Sequence, residues 1–124
     1  MDVLVVEDVI AAREAVHRLL EQQGAQVRAV ASAARAAEAF VRRRPDVVVT
    51  DIGMPDEDGY SLIRRIRQIE KEQGIDRVPA VAVTAFARAE DRQRALAAGF
   101  DEHISKPINP EALLNALRRL VNEA

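Results

Sequence analysis

Short, β-branched-rich apolar runs alternate five times with segments of helical periodicity, which is the signature of βαβ units wound around a parallel sheet. Four of these runs end on chemically distinctive residues. Val3-Leu4-Val5-Val6 leads into Glu7-Asp8, Val47-Val48-Val49-Thr50 into Asp51, Ala80-Val81-Ala82-Val83 into Thr84, and His103-Ile104-Ser105 into Lys106-Pro107. A parallel sheet gathers such strand ends on one edge, where open α/β folds keep their sites. Three acids, a hydroxyl and an amine would then converge. That set can bind a divalent metal, offer a carboxylate nucleophile and neutralise a phosphoryl group it receives.

A chain of 124 residues has the size of one domain, so residues 1–124 are read as a single unit. Apolar residues make up 48 % and charged residues 31 %, the balance of a folded globular protein rather than a disordered tail. The net charge of −2 and the lack of a long single-sign block argue against direct nucleic-acid binding. The absence of cysteine rules out disulfides, thiolate metal sites and cysteine nucleophiles, and fits a cytoplasmic domain. No apolar run approaches the roughly 20 residues of a membrane span, so no membrane contact is expected of this domain, although a parent chain could be membrane-anchored.

The helical segments carry their own signals. Helix one places Ala12, Ala15, Val16, Leu19 and Leu20 on one face, with Gly24 available for a left-handed end; strand two follows at Gln26 to Val30. Ser32 caps helix two, whose inner stripe is Ala33, Ala36, Ala37 and Phe40. Arg42-Arg43-Arg44-Pro45 reads as a solvated helix end that complements the macrodipole. Helix three turns Leu62, Ile63, Ile66 and Ile69 inward, with Gly74 near its end and Pro79 opening the next strand. Helix four, from about Ala87 to Ala98, has little apolar surface to bury and is the natural mobile element. Helix five starts with Asn109 as cap and Pro110 at its first position, then presents Leu113, Leu114, Leu117, Leu120 and Val121. The loop from Ile52 to Gly59 is the longest strand-to-helix connection and the best candidate for a functional loop.

Taken singly, the site residues are weak signals. Glu7-Asp8 alone could splay into solvent or cap a helix, Thr84 could be an ordinary strand-end hydroxyl, and Lys106 a surface lysine. Asp51 on the neighbouring strand changes this, because a negative pocket then forms whose natural occupant is Mg²⁺ or Mn²⁺. Lys106-Pro107 directly after a buried strand is also unusual, since proline restricts the residue before it.

Val5-Val6-Glu7-Asp8, Asp51-Ile52-Gly53-Met54-Pro55 with Asp58-Gly59, Thr84-Ala85 and Lys106-Pro107 together resemble the receiver domains of two-component response regulators, in the family's order and approximate spacing, over essentially the whole chain. The resemblance implies a (βα)5 flavodoxin-like sheet of strand order 2-1-3-4-5. It implies Asp51 as phosphate acceptor. Mg²⁺ would be held by Asp8, Asp51 and the Gly53 carbonyl, with Glu7 acting through a water. Lys106 would pair with phosphoryl oxygens, Thr84 would bond one once charge arrives, and the Lys106–Pro107 bond would be cis. Partners would be a histidine kinase or a histidine-phosphotransfer domain, and a weak homodimer through helix four, strand five and helix five is allowed. The domain would then catalyse only its own modification and its reversal. Phosphorylation would bias the helix four, strand five and helix five face through Thr84 and position 103.

That position commonly holds Tyr or Phe in the family and holds His103 here, a departure that weighs against a simple aromatic-rotamer switch while His103 stays the switch position beside Thr84. Asp51-Ile-Gly-Met-Pro through Tyr60, Thr84-Ala-Phe-Ala87 and His103-Ile-Ser-Lys-Pro look most like receivers of hybrid sensor histidine kinases; a stand-alone regulator is the alternative. Gly53 and Phe86, two residues beyond the acceptor and the threonine, offer nothing to orient an attacking water, so slow loss of phosphate is expected. A phosphohydrolase with an aspartyl nucleophile fits poorly, because the residue two beyond Asp51 is Gly53 rather than an acid. A receiver-like module that signals without phosphate fits poorly too, because every key group is present.

Overall fold

The computed structural model describes residues 1–85 and 88–122. Its elements run β1 (Asp2–Val6), α1 (Ile10–Gln22), β2 (Gln26–Val30), α2 (Ala33–Arg42), β3 (Val47–Asp51), α3 (Gly59–Gln73), β4 (Ala80–Thr84), α4 (Ala89–Ala98), β5 (Glu102–Ser105) and α5 (Pro110–Asn122). The five strands form one parallel sheet in the order β2-β1-β3-β4-β5, the flavodoxin-like order expected. Among the described residues no helix is long and apolar enough to cross a membrane.

Alternation along the strands divides the core into two layers. Leu4, Val6, Val48, Ala80 and Ala82 face α2, α3 and α4, where they meet Phe40, Leu62, Ile63, Ile66 and Ala95. Val3, Val5, Val47, Val49, Val81 and Val83 face α1 and α5, where they meet Val16, Leu20, Leu113 and Leu117. Burial on both faces explains why these strands read as continuous apolar runs. Each fully enclosed Val, Leu or Ile contributes about 1.5–3 kcal/mol.

Local signals act as their chemistry suggests. Ser32 Oγ accepts from Arg35 N at 3.2 Å, and Asn109 Oδ1 accepts from the amides of Glu111 and Ala112. Gly74 ends α3 with φ of 64°. The apolar stripe of α1 is narrower than its periodicity predicts: Val16 and Leu20 are buried and Leu19 is half-buried, but Ala15 is exposed, because α1 and α5 leave an open groove there. The described part of helix four begins at Ala89; Ala87 lies outside the described residues. Only Ala95 of α4 is buried, so this helix does hold little core surface. Polar contacts add to the apolar packing of Ala95 and Ala98: the Arg94 guanidinium lies 4.1 Å from the Tyr60 ring centroid, and Arg67 donates to Gly99 O from Nε (3.1 Å) and Nη2 (2.8 Å).

The arginines after α2 do more than end a helix in solvent. Arg43 pairs with Asp2 at 3.0 Å, and Arg44 donates to the carbonyls of Asp76 and Arg77. They tie the edge of the sheet opposite the strand C-termini to the chain that follows α3.

Candidate functional site

At the C-terminal edge of the sheet, β1 and β3 deliver Glu7, Asp8 and Asp51 to one point, and a carboxylate oxygen from each lies within 4.8 Å of the others. Glu7 is 6 % and Asp51 7 % exposed, so two of the three acids are buried. Lys106, following β5, reaches across from the far side. Its Nζ donates to Asp51 Oδ2 at 3.2 Å and to Glu7 Oε1 at 3.3 Å. The Lys106–Pro107 bond is cis, as the resemblance implied, and the Lys106 amide donates to Thr84 O at 2.7 Å.

Burial and the crowding of like charge both act on the pocket's titratable groups. Glu7 is pushed up from 4.5 to about 7, first by burial and then by the hydrogen bond and negative charge of Asp51, with the Lys106 charge opposing. Lys106 is itself raised: burial works against its charge, but the hydrogen bonds and charges of Asp51 and Glu7 outweigh that. At neutral pH the pocket is therefore poised to take up positive charge.

The loop that follows Asp51 is tightly held. Gly53 N–H donates to Asp51 Oδ1 at 3.3 Å, and Gly59 N–H donates to Ile52 O at 2.9 Å. Gly59 passes so close to the backbone of Asp51 and Ile52 that a Cβ there would sit 2.6 Å from Asp51 O and 2.9 Å from Ile52 Cα. Only glycine fits. Gly53, by contrast, has nothing within 4 Å of where its Cβ would be. Asp58 caps α3 through Ser61 N at 2.9 Å, and Glu57 accepts from Ser61 Oγ and pairs with Arg65, which fixes the loop's exit.

The remaining expected residues divide. Thr84 is 4 % exposed at the C-terminal end of β4, beside β5 in the register Thr84–Ser105 and on the same sheet edge as Asp51. His103 sits beside Ala82 in the register. Its neighbour Ile104 packs in the α1/α5 layer, so the His103 ring points to the α4 side, away from the acids. Its Nε2 is buried with no hydrogen-bond partner among the described residues. Phe86 lies outside the described residues.

Three oxygen donors suit a hard divalent cation. One observation tests the fit: Asp8 Oδ1 is buried with no hydrogen-bond partner among the described residues, an arrangement that is costly unless something binds there. The residues fit such an ion. Beside the site, Lys106, Pro107, Ile108, Ala12, Val16 and Leu19 line a groove of about 400 Å³ that runs between α1 and the start of α5.

Two arginines that matter to this architecture escape a reading of the sequence. Arg13 Nη1 donates to Glu7 O at 3.1 Å and to Asp8 O at 3.5 Å. Arg67, half-buried with its basicity lowered by that burial, joins Glu70, Val78 O, Gly99 O and Asp101. The Arg67–Glu70 spacing of three on one helix is a signal that could have marked the second. Nothing in the local pattern marks the first, because its partners are main-chain oxygens.

A 2-1-3-4-5 parallel sheet with clustered acids and a lysine at its strand ends defines a flavodoxin-like receiver. The model of the response regulator receiver domain matches residues 3–118, and the chain belongs to that family, the receivers of two-component signalling. It is 39 % identical over 119 residues to an uncharacterized 14.6 kDa protein of Leptolyngbya boryana, covering 96 % of this chain and 88 % of that one. It is 34 % identical over 131 residues to probable histidine kinase 2 of Oryza sativa subsp. indica, covering 94 % of this chain but 12 % of the kinase. Among solved structures, the receiver domain of a sensor histidine kinase from Pseudomonas aeruginosa PAO1, with magnesium coordinated in its active-site cleft, superposes with a TM-score of 0.86 at 33 % identity, over 98 % of this chain and 97 % of that one.

Proposed function

We propose that this domain is the phosphoacceptor of a phosphorelay, in which Asp51 receives a phosphoryl group from a phosphohistidine on a histidine kinase or histidine-phosphotransfer domain. The observation that carries the reading is the Lys106 ammonium held between Asp51 and Glu7 beside a three-carboxylate cluster. An Asp51 carboxylate oxygen attacks phosphorus in line, the P–N bond to the imidazole breaks, and its electron pair returns to the ring nitrogen. Lys106 follows the charge from the carboxylate to the equatorial phosphoryl oxygens. Asp8, Asp51 and the Gly53 carbonyl, with Glu7 through a water, are the groups that would hold Mg²⁺ or Mn²⁺, which when bound screens the acids and the incoming phosphate from one another. Gly53 N–H keeps the acceptor carboxylate oriented.

Thr84 then bonds a phosphoryl oxygen, and the added charge of about −1.5 to −2 shifts the face built from α4, β5 and α5. The small buried area of α4 supports it as the responding element. His103, with its unpartnered Nε2 on the α4 side, is the residue beside which that shift is felt. The groove beside Lys106 offers the partner's helical surface an apolar seat next to the acceptor.

The kinase likenesses favour a receiver module of a hybrid sensor histidine kinase. A specific observation favours the stand-alone form: the Leptolyngbya boryana relative is itself of receiver size and is 88 % covered. The decisive experiment is transfer of labelled phosphate from a phosphorylated histidine domain, in Mg²⁺ and in excess chelator, to the wild type and to Asp51→Asn. Labelling of the wild type only, and only with Mg²⁺, is expected; equal labelling of both proteins refutes the assignment.

A further inference from the structure

The acid turn between β1 and α1 must place two side chains on one point while its own main chain changes direction. Val9, the residue that opens α1, gives no side-chain cap. One side chain reaches back to the turn instead: Arg13, half-buried on α1, whose Nη1 donates to Glu7 O at 3.1 Å and to Asp8 O at 3.5 Å. Those two carbonyls belong to the residues whose side chains supply two of the three clustered oxygens. The Arg13 guanidinium forms no ion pair among the described residues; the contacts it makes to the acid turn are to main-chain oxygens.

We propose that Arg13 is a positioning residue for the cation site, holding the Glu7-Asp8 turn in the conformation that lets both side chains converge on Asp51. The proposal rests on the metal reading given above. Two consequences of losing Arg13 have opposite sign. As a nearby positive charge it repels a dication, so its removal tightens binding, about two- to fivefold for a solvent-screened charge. As the clamp on a ligand-bearing turn its removal weakens binding, by about 10- to 100-fold, the range found when groups supporting metal ligands are lost. The sign of the change therefore separates a clamp from a bystander.

The test is a Mg²⁺ titration of the whole 124-residue chain, read from the amide resonances of Asp8 and Gly53, with unfolding midpoints measured in chelator alongside. The proteins are the wild type, Arg13→Met, Arg13→Lys, and Arg18→Met as an exposed charge control on the same helix. Expected are a rise of at least tenfold in the Mg²⁺ dissociation constant for Arg13→Met, partial rescue in Arg13→Lys, whose ammonium can reach one carbonyl, and no weakening in Arg18→Met. Unchanged or tighter binding by a folded Arg13→Met overturns the proposal. If Arg13→Met does not fold, Arg13→Lys decides, and binding equal to wild type overturns it. Absence of a Mg²⁺ response in the wild type overturns the metal site itself and with it the role of Arg13.

Discussion

Replacing Glu7 by Gln is expected to stabilise the metal-free protein above neutral pH and to leave it almost unchanged in acid. Glu7 titrates near 4.5 when unfolded and at about 7 in the fold, because burial and the adjoining Asp51 disfavour its charge. The folded state therefore binds the extra proton between those values. Stability linked to Glu7 is fully present below pH 4.5 and is lost as pH rises through 7. The interval of about 2.5 units corresponds to about 3 kcal/mol at most. Gln cannot ionise, keeps an oxygen for Lys106 where Glu7 Oε1 now accepts at 3.3 Å, and leaves the Lys106–Asp51 pair in place. The gain of Glu7→Gln over wild type should thus grow from near zero at pH 4.5 to about 1–3 kcal/mol at pH 8. Urea unfolding at half-unit steps of pH in chelator measures it, with unchanged denaturant slopes certifying that the midpoints report stability. A difference that stays flat with pH, or a wild type more stable than the variant at pH 8, refutes the burial argument. The expected trade of stability for a charged pocket is one that functional sites commonly show.

Gly59→Ala should impair phosphorylation of Asp51 and lower stability by more than 1 kcal/mol, while Gly53→Ala should do neither, since the first Cβ meets the backbone of Asp51 and Ile52 and the second meets nothing; phosphotransfer rates and urea midpoints of the two variants check this. Gly53→Asn should speed loss of phosphate from the isolated domain by giving the open position a group that orients water, and an unchanged decay rate refutes it. Thr84→Ala should still accept phosphate yet fail to change amide exchange across residues 89–98 on phosphorylation; a wild-type pattern of exchange in the variant removes Thr84 from the switch. Leu62→Ala, fully buried between α3 and the sheet, should cost about 2–5 kcal/mol by unfolding without altering which residue is phosphorylated.

The sequence by itself determined the elements and where their ends fall. Runs such as Val47 to Thr50 are apolar throughout because both faces of a central parallel strand are covered, and the caps Ser32 and Asn109 act through amides two or three residues away. Signals of that range survive in one dimension. The strand order was legible only through the family resemblance, and the acid cluster only because parallel strands must end on a common edge.

Tertiary structure decided what depends on groups far apart in the chain or on main-chain atoms. Lys106 reaches Glu7 across 99 residues, and the charge balance of the pocket follows from that distance of 3.3 Å and from the burial around it. Gly59 is required by the carbonyl of Asp51, Arg13 is engaged by the carbonyls of the acid turn, and Arg67 holds the end of α4 through Gly99 O. Every residue carries the same carbonyl, so a sequence cannot say which one a guanidinium will meet. Ala15 likewise reads as an inward position but lies on an open groove, because periodicity defines a face of a helix and only packing defines how wide a stripe of that face is covered.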